Sequence, residues 1–211
     1  MGFDKLFAPI AGKSVVEHAI EAFEIAESVK EIIVVARKDR LREFEDTLRS
    51  KTKVHRVIAG GEHRQDSVRA GLQSLGENVK YVAVHDAARP LVTPEQIERV
   101  FEQSRAHGAA ALAEPVTDTL KRADKELHVT ESVDRHQLYA MQTPQIFERA
   151  LLEEAYRAVF VEKLSVTDEV SAVERLGRKI VLVPADDFNF KITYERDLRL
   201  AEYILRERGR V

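Results

Sequence analysis

The chain has 211 residues, 44% hydrophobic and 33% charged, with a net charge of −3. That length suits one domain with a sizeable core, and the near-neutral balance argues against a nucleic-acid partner. Cysteine is absent, which excludes disulfides, thiolate metal sites and a cysteine nucleophile.

The N-terminal stretch "MGFDKLFAPIAGK" lacks the apolar core of a signal peptide, and no run of about 18 apolar residues offers a membrane span. A cytoplasmic protein is expected. "SVVEHAIEAFEIAE" (14–27) places Val15, Val16, Ala19, Ile20 and Phe23 on one helical face. "EIIVVAR" (31–37) predicts a strand, 39–50 a charged helix, and "KVHRVIA" (53–59) a second strand. A helix over 65–76 and a strand "YVAVHD" (81–86) follow. The helix over 93–108 is well punctuated: Thr93, Pro94 and Gln96 cap its start and Gly108 stops it. "AAALAEPV" (109–116) is a fourth strand. This alternation implies an α/β fold with a mostly parallel sheet and helices on both faces.

Residues 117–144 break the regularity. They are polar, with weak alternation in "ELHVTESV", and predict an extended hairpin or arm too poor in apolar surface to stand alone. A second subunit is the expected surface for it. Helices over 147–160 and 168–176, strands "KIVLVPA" (179–185) and "NFKIT" (189–193), and a helix from Tyr194 to about 208 complete the chain. The whole, 1–211, is expected to be one domain.

Several junctions could carry chemistry. In "VHDAARPLV" the apolar strand stops at Asp86 and Arg89, at the rim where open α/β sheets bind ligands. Asp86 could hold a divalent metal and Arg89 a phosphate, or the two could pair and brace the turn. In "AGGEHRQDSV", Gly60 and Gly61 lead into a helix start near Asp66 and Ser67. That suits a ligand approached by backbone N–H groups, but equally a plain turn capped by Asp66. Thr167 predicts an N-cap followed by Asp168 and Glu169, for which structural capping is the stronger reading. Lys191 falls opposite Phe190 and Ile192 by strand alternation, and points either to solvent or into a site. Lys5 is ordinarily an exposed terminal lysine. Together these junctions suggest a nucleotide or sugar-phosphate site.

The blocks "DKLFAPIAGKSVVEHAIEAF", "AGGEHRQDSVRAGL", "VHDAARPLV", "PVTDTLKR", "SVDRHQLYAMQTPQIF", "SVTDEVSAVE" and "NFKIT", in this order, resemble the 2-C-methyl-D-erythritol 4-phosphate cytidylyltransferases of the non-mevalonate isoprenoid pathway. Ribitol-5-phosphate cytidylyltransferases share most of them. The resemblance implies a Rossmann-like nucleotidyltransferase that joins CTP to a polyol phosphate with Mg2+ and releases pyrophosphate. It implies that Lys5 and Lys191 stabilise the transition state and that Gly60, Gly61 and Ser67 line the cytidine pocket. Asp86 would meet the acceptor and lie near the metal, with Arg89, Thr143 and Thr167 around the acceptor. Thr119 and Arg135 would sit on the 117–144 arm, which crosses to the other subunit of a homodimer. The family's pattern also begins with a strand and a glycine-rich loop, Ala-Ala-Gly-x-G-x-Arg, which this sequence does not show. Two outcomes follow as expectations: weak CTP binding with slow turnover, or a truncated, non-catalytic dimeric remnant.

Overall fold

The computed structural model describes residues 4–209. A small antiparallel hairpin, β1 (Pro9–Ile10) and β2 (Lys13–Ser14), feeds α1 (Val15–Ile25). Ser14 caps that helix. Its hydroxyl accepts from the Glu17 N–H at 3.4 Å while the Glu17 carboxylate accepts from the Ser14 N–H at 2.8 Å, a reciprocal pair that satisfies two otherwise orphan donors. β3 (Ile32–Ala36), α2 (Leu41–Leu48) and β4 (Val54–Ala59) follow, and β3 and β4 form a parallel pair. α3 (Arg64–Gln73), β5 (Tyr81–Val84), α4 (Pro94–His107) and β6 (Ala109–Pro115) come next. The Thr93–Gln96 cap and the left-handed Gly108 stop of α4 are both present.

β7 (Leu120–Ala123) and β8 (Val129–Val133) pair only with each other, as an exposed antiparallel hairpin. The segment expected to be an arm ends sooner than residue 144. From Tyr139 the chain becomes β9 (Tyr139–Glu148), a strand of the main sheet. α5 (Arg149–Val161), α6 (Glu169–Glu174), β10 (Val181–Pro184) and α7 (Glu195–Glu207) close the fold.

The main sheet has the order β10-β6-β9-β5. It is mixed rather than mostly parallel: β10 runs parallel to β6, but β9 runs antiparallel to both β6 and β5. The polar, proline-bearing "YAMQTPQIF" hid this strand, because only its second half is buried. Residues 189–193 form no strand; Lys191 lies in an irregular segment before α7.

Strand periodicity explains the layers. On β6, Ala109 and Ala111 join the core under α5 and α6, with Phe147, Leu152 and Tyr156. Ala110 and Leu112 point the other way, into the core under α4 with Val100, Ile146 and Val183. A strand covered on both faces can be apolar throughout, which is why "AAALA" reads as a continuous run. A separate cluster packs α7 through Ala201, Ile204 and Leu205 onto Leu91 and Ile192. It fixes the segment that carries Lys191.

Candidate active site

The site forms where β5 runs out. Val84 pairs with Gln145 on β9, so two residues further on Asp86 stands opposite Thr143. The Asp86 N–H donates to the Thr143 hydroxyl at 3.0 Å. His85 Nε2 lies 3.2 Å from the Arg89 carbonyl and Nδ1 lies 3.0 Å from the Thr143 hydroxyl. A carbonyl can only accept, so Nε2 carries the proton and Nδ1 accepts from Thr143. Burial drives the His85 pKa down to about 4, against the carbonyl and the Asp86 charge that favour protonation. The ring is therefore neutral near pH 7 and braces the turn.

Lys191 Nζ donates to Asp86 Oδ2 at 2.9 Å. The Ile192 N–H donates to the Ala88 carbonyl at 2.7 Å and the Ile192 side chain is fully buried, so the backbone itself clamps Lys191 to this rim. Arg89 is braced as well: it donates to the carbonyls of Asn189 at 2.8 Å and Met141 at 3.4 Å, and its Nε lies 3.8 Å from Asp86 Oδ2. Asn189 is buried, donating to Gln142 Oε1 and to the Thr143 carbonyl. Burial raises the Asp86 pKa, but the hydrogen bond and charge of Lys191, with Arg64 and Arg89, outweigh it and hold the carboxyl below its ordinary value.

Two members of this cluster escaped the sequence reading. Arg64 Nη2 lies 3.6 Å from Asp86 Oδ1, and the same guanidinium grips Glu169 at 2.5 and 2.8 Å. Signals existed for both. Arginine in the first turn of a helix opposes the macrodipole, which points to a dedicated carboxylate partner. Glu169 shares its face with Ala172 and Val173 in "EVSAVE", so helical spacing alone buries it. Three cations, Lys191, Arg64 and Arg89, converge on Asp86, a setting suited to a phosphate.

Gly60, Gly61 and Ser67 also come together. α3 begins at Arg64, earlier than expected, and Asp66 accepts from the His63 N–H at 3.1 Å rather than acting as the N-cap itself. The Gly61 N–H donates to Ser67 Oγ at 3.2 Å. A Cβ on Gly60 would stand 2.5 Å from Ser67 Oγ, and one on Gly61 2.2 Å from Asp66 Cβ. Close approach of helix and turn therefore demands glycine at both positions. Arg64 joins this turn to Asp86.

Thr167 is not the cap of α6. Asp168 is, accepting from the Ser171 N–H at 2.9 Å, because Gln145 of β9 holds the Asp168 carboxylate and the Val170 N–H in place. Thr167 stays exposed two residues from Glu169. Lys5 lies in a turn beside Leu6 and Phe7, which pack into the cluster that Ala87 also reaches. Thr119 and Arg135 are exposed on the hairpin segment, where Arg135 donates to the Thr117 carbonyl. Neither hydrogen-bonds nor ion-pairs with the Asp86 cluster among the described residues. Nor do any three His, Asp or Glu side chains among them gather into a metal site. With three cations around Asp86, the rim does not build a metal centre by itself.

An α/β sheet with a cationic rim at a strand end, beside a glycine turn, marks a protein built to bind a phosphorylated ligand such as a nucleotide. Comparison with known proteins supplies the particular family. The family model "IspD: 2-C-methyl-D-erythritol 4-phosphate cytidylyltransferase" matches residues 1–207. The curated 2-C-methyl-D-erythritol 4-phosphate cytidylyltransferase of Caldanaerobacter subterraneus subsp. tengcongensis is 40% identical over 207 residues, covering 97% of this chain and 91% of that protein. The crystal structure of the enzyme of that name from Thermus thermophilus superposes with a TM-score of 0.82 at 33% identity, covering 96% of this chain and 94% of the other. 4-Diphosphocytidyl-2C-methyl-D-erythritol synthase from Anaerococcus prevotii gives a TM-score of 0.87 at 28% identity, covering 95% and 93%. The chain belongs to the 2-C-methyl-D-erythritol 4-phosphate cytidylyltransferase family.

Proposed function

We propose that this chain transfers the cytidylyl group of CTP to 2-C-methyl-D-erythritol 4-phosphate and releases pyrophosphate. The observation that carries the reading is the convergence of Lys191, Arg64 and Arg89 on Asp86 at the end of β5, in a chain whose relatives bear that name. An acceptor phosphate oxygen bonds to the α-phosphorus as the bond to the bridging oxygen of the leaving pyrophosphate breaks. The protein's work is to align the two and to neutralise charge on the phosphoryl oxygens.

In this reading Lys191 and Lys5 face the phosphoryl group, and the Gly60–Gly61 turn with Ser67 receives the cytidine. Asp86, Arg89, Thr143 and Thr167 surround the acceptor. Mg2+ belongs here as an ion carried by the phosphates of CTP, since Mg2+ is commonly held by substrate phosphates with few protein ligands. Asp86 as its ligand rests on the family resemblance alone. The exposed hairpin supports a homodimer: Leu127 and Val129 are 85% and 65% exposed, apolar surface that a second copy would cover, bringing Thr119 and Arg135 to the partner's acceptor site.

α1 and α3 bridge the seam between the two sheets beside this site. β3 and β5 share no ladder. Yet the Phe23 ring of α1 lies 4.9 Å from the His85 ring while Val16 and Ile20 of the same helix pack with Val34. On the other face Leu72 of α3 shares a cluster with Val82 and Val84.

Incubation of the purified chain with CTP and either methylerythritol phosphate or ribitol 5-phosphate tests the proposal. Cytidylylated product and pyrophosphate are expected with the first acceptor and not the second. Product with ribitol phosphate alone gives the acceptor to the related family. No product with either, but retained acceptor binding, leaves a non-catalytic remnant.

A further inference from the structure

Glu169 is fully buried, an unusual place for a carboxylate, and its charge is answered from two sides. Arg64 donates to both of its oxygens, and the Tyr156 hydroxyl donates to Oε1 at 2.8 Å. Burial and the adjacent Glu169 charge push the Tyr156 hydroxyl far above the ordinary phenol range, so it remains a donor. The backbone around Glu169 is fixed on both sides. Gln145 accepts from the Val170 N–H and donates to Asp168, and Gln65, beside Arg64, holds the Leu164 carbonyl and the Val166 N–H. Nothing here is free to follow a moving arginine.

Arg64 thus stands between two carboxylates, bonded to one and 3.6 Å from the other. A guanidinium deprived of Glu169 would have Asp86 as its nearest anion, and closing that gap would bring its charge against Lys191. We infer that Glu169 is a positioning residue: from beneath the site it holds Arg64 short of Asp86, so that the Asp86 carboxylate stays paired with Lys191 and open to substrate. The substrate clause rests on the cytidylyltransferase reading; the effect on Lys191 does not.

The test compares the intact chain with Glu169→Gln and with the double variant Glu169→Gln/Arg64→Gln. Glutamine keeps the shape and removes the charge. Trace acetylation with acetic anhydride, resolved by peptide mass spectrometry, reports how firmly Lys191 is held. Glu169→Gln should speed modification of Lys191 about two- to fivefold, the worth of a part-exposed ion pair. Lys53, which donates to the carbonyls of Phe23 and Ala26, should stay unchanged and so reports intact folding. The double variant should return Lys191 to the original rate, because no arginine is left to close on Asp86. An unchanged Lys191 rate in Glu169→Gln, or equal acceleration in the double variant, overturns the inference. If Glu169→Gln does not fold, Tyr156→Phe serves instead, removing one hydrogen bond from Glu169; it should give a smaller acceleration in the same direction, and no change counts against the inference. In kinetics, Glu169→Gln should raise KM for the acceptor and leave KM for CTP in place, a split that loss of stability alone does not produce. Absence of turnover in the unmodified chain sinks the functional reading, and the Lys191 rates still decide this one.

Discussion

Lys191 Nζ lies 2.9 Å from Asp86 Oδ2 across 105 positions of sequence. The irregular segment before α7 thereby meets the end of β5, and the pair fills the rim that phosphates would occupy. Lys191→Met should lower kcat by about 10²–10³-fold, the usual loss when one preorganised charge is withdrawn from a phosphoryl transition state. KM for CTP should move little, and steady-state kinetics separate the two. Turnover at the original rate would remove Lys191 from the reaction.

The glycine turn gives a steric prediction. In Gly60→Ala the new Cβ meets Ser67 Oγ at 2.5 Å, so the turn and the first turn of α3 must separate. Overpacking of this kind costs about 1–3 kcal/mol. Chemical denaturation should register that loss, and calorimetry should show weaker CTP binding with acceptor binding retained.

His85 makes stability depend on pH. Its pKa falls from an ordinary 6.5 to about 4 on folding, so the unfolded chain binds the extra proton first. The stabilisation is complete above about pH 6.5 and is lost as pH falls toward 4. At most about 3 kcal/mol is at stake. Protonating Nδ1 would reverse its hydrogen bond with the Thr143 hydroxyl, which would then accept. His85→Gln should flatten the stability curve in that window, measured by urea unfolding. Burial lowers the His18 pKa as well, so some slope remains.

The hairpin is tested by association. Removing the exposed apolar pair, Leu127→Ser with Val129→Ser, should shift a dimer toward monomer in sedimentation. Arg135→Ala should leave assembly intact and raise KM for the acceptor about tenfold or more, the scale of a lost charge-assisted hydrogen bond. Monomeric behaviour of the unaltered chain at micromolar concentration ends the dimer reading.

How much of this was visible in the sequence depended on whether local pattern or distant contact fixed each element. The Thr93–Gln96 cap and the Gly108 stop lie within one helix and were legible. So was Asp86, stranded where an apolar run ends. β9 was not, because its first residues are exposed and its identity comes from pairing with β5 and β6. Thr167 reads as a cap since nothing local reveals that Gln145 fixes the Asp168 carboxylate. Arg64 and Glu169 each leave a local signal, but that they answer one another, 105 residues apart, is set by the fold.

β9 is continuous from Tyr139, at the foot of the hairpin, to Thr143 under the Asp86 amide. Over Tyr139–Met141 it is laddered to β6 alone, and β5 joins on the other side only from Gln145, past an irregularity in register. The root of the hairpin and the Asp86 amide therefore share one strand, so a load on the exposed hairpin has a short covalent route to that rim.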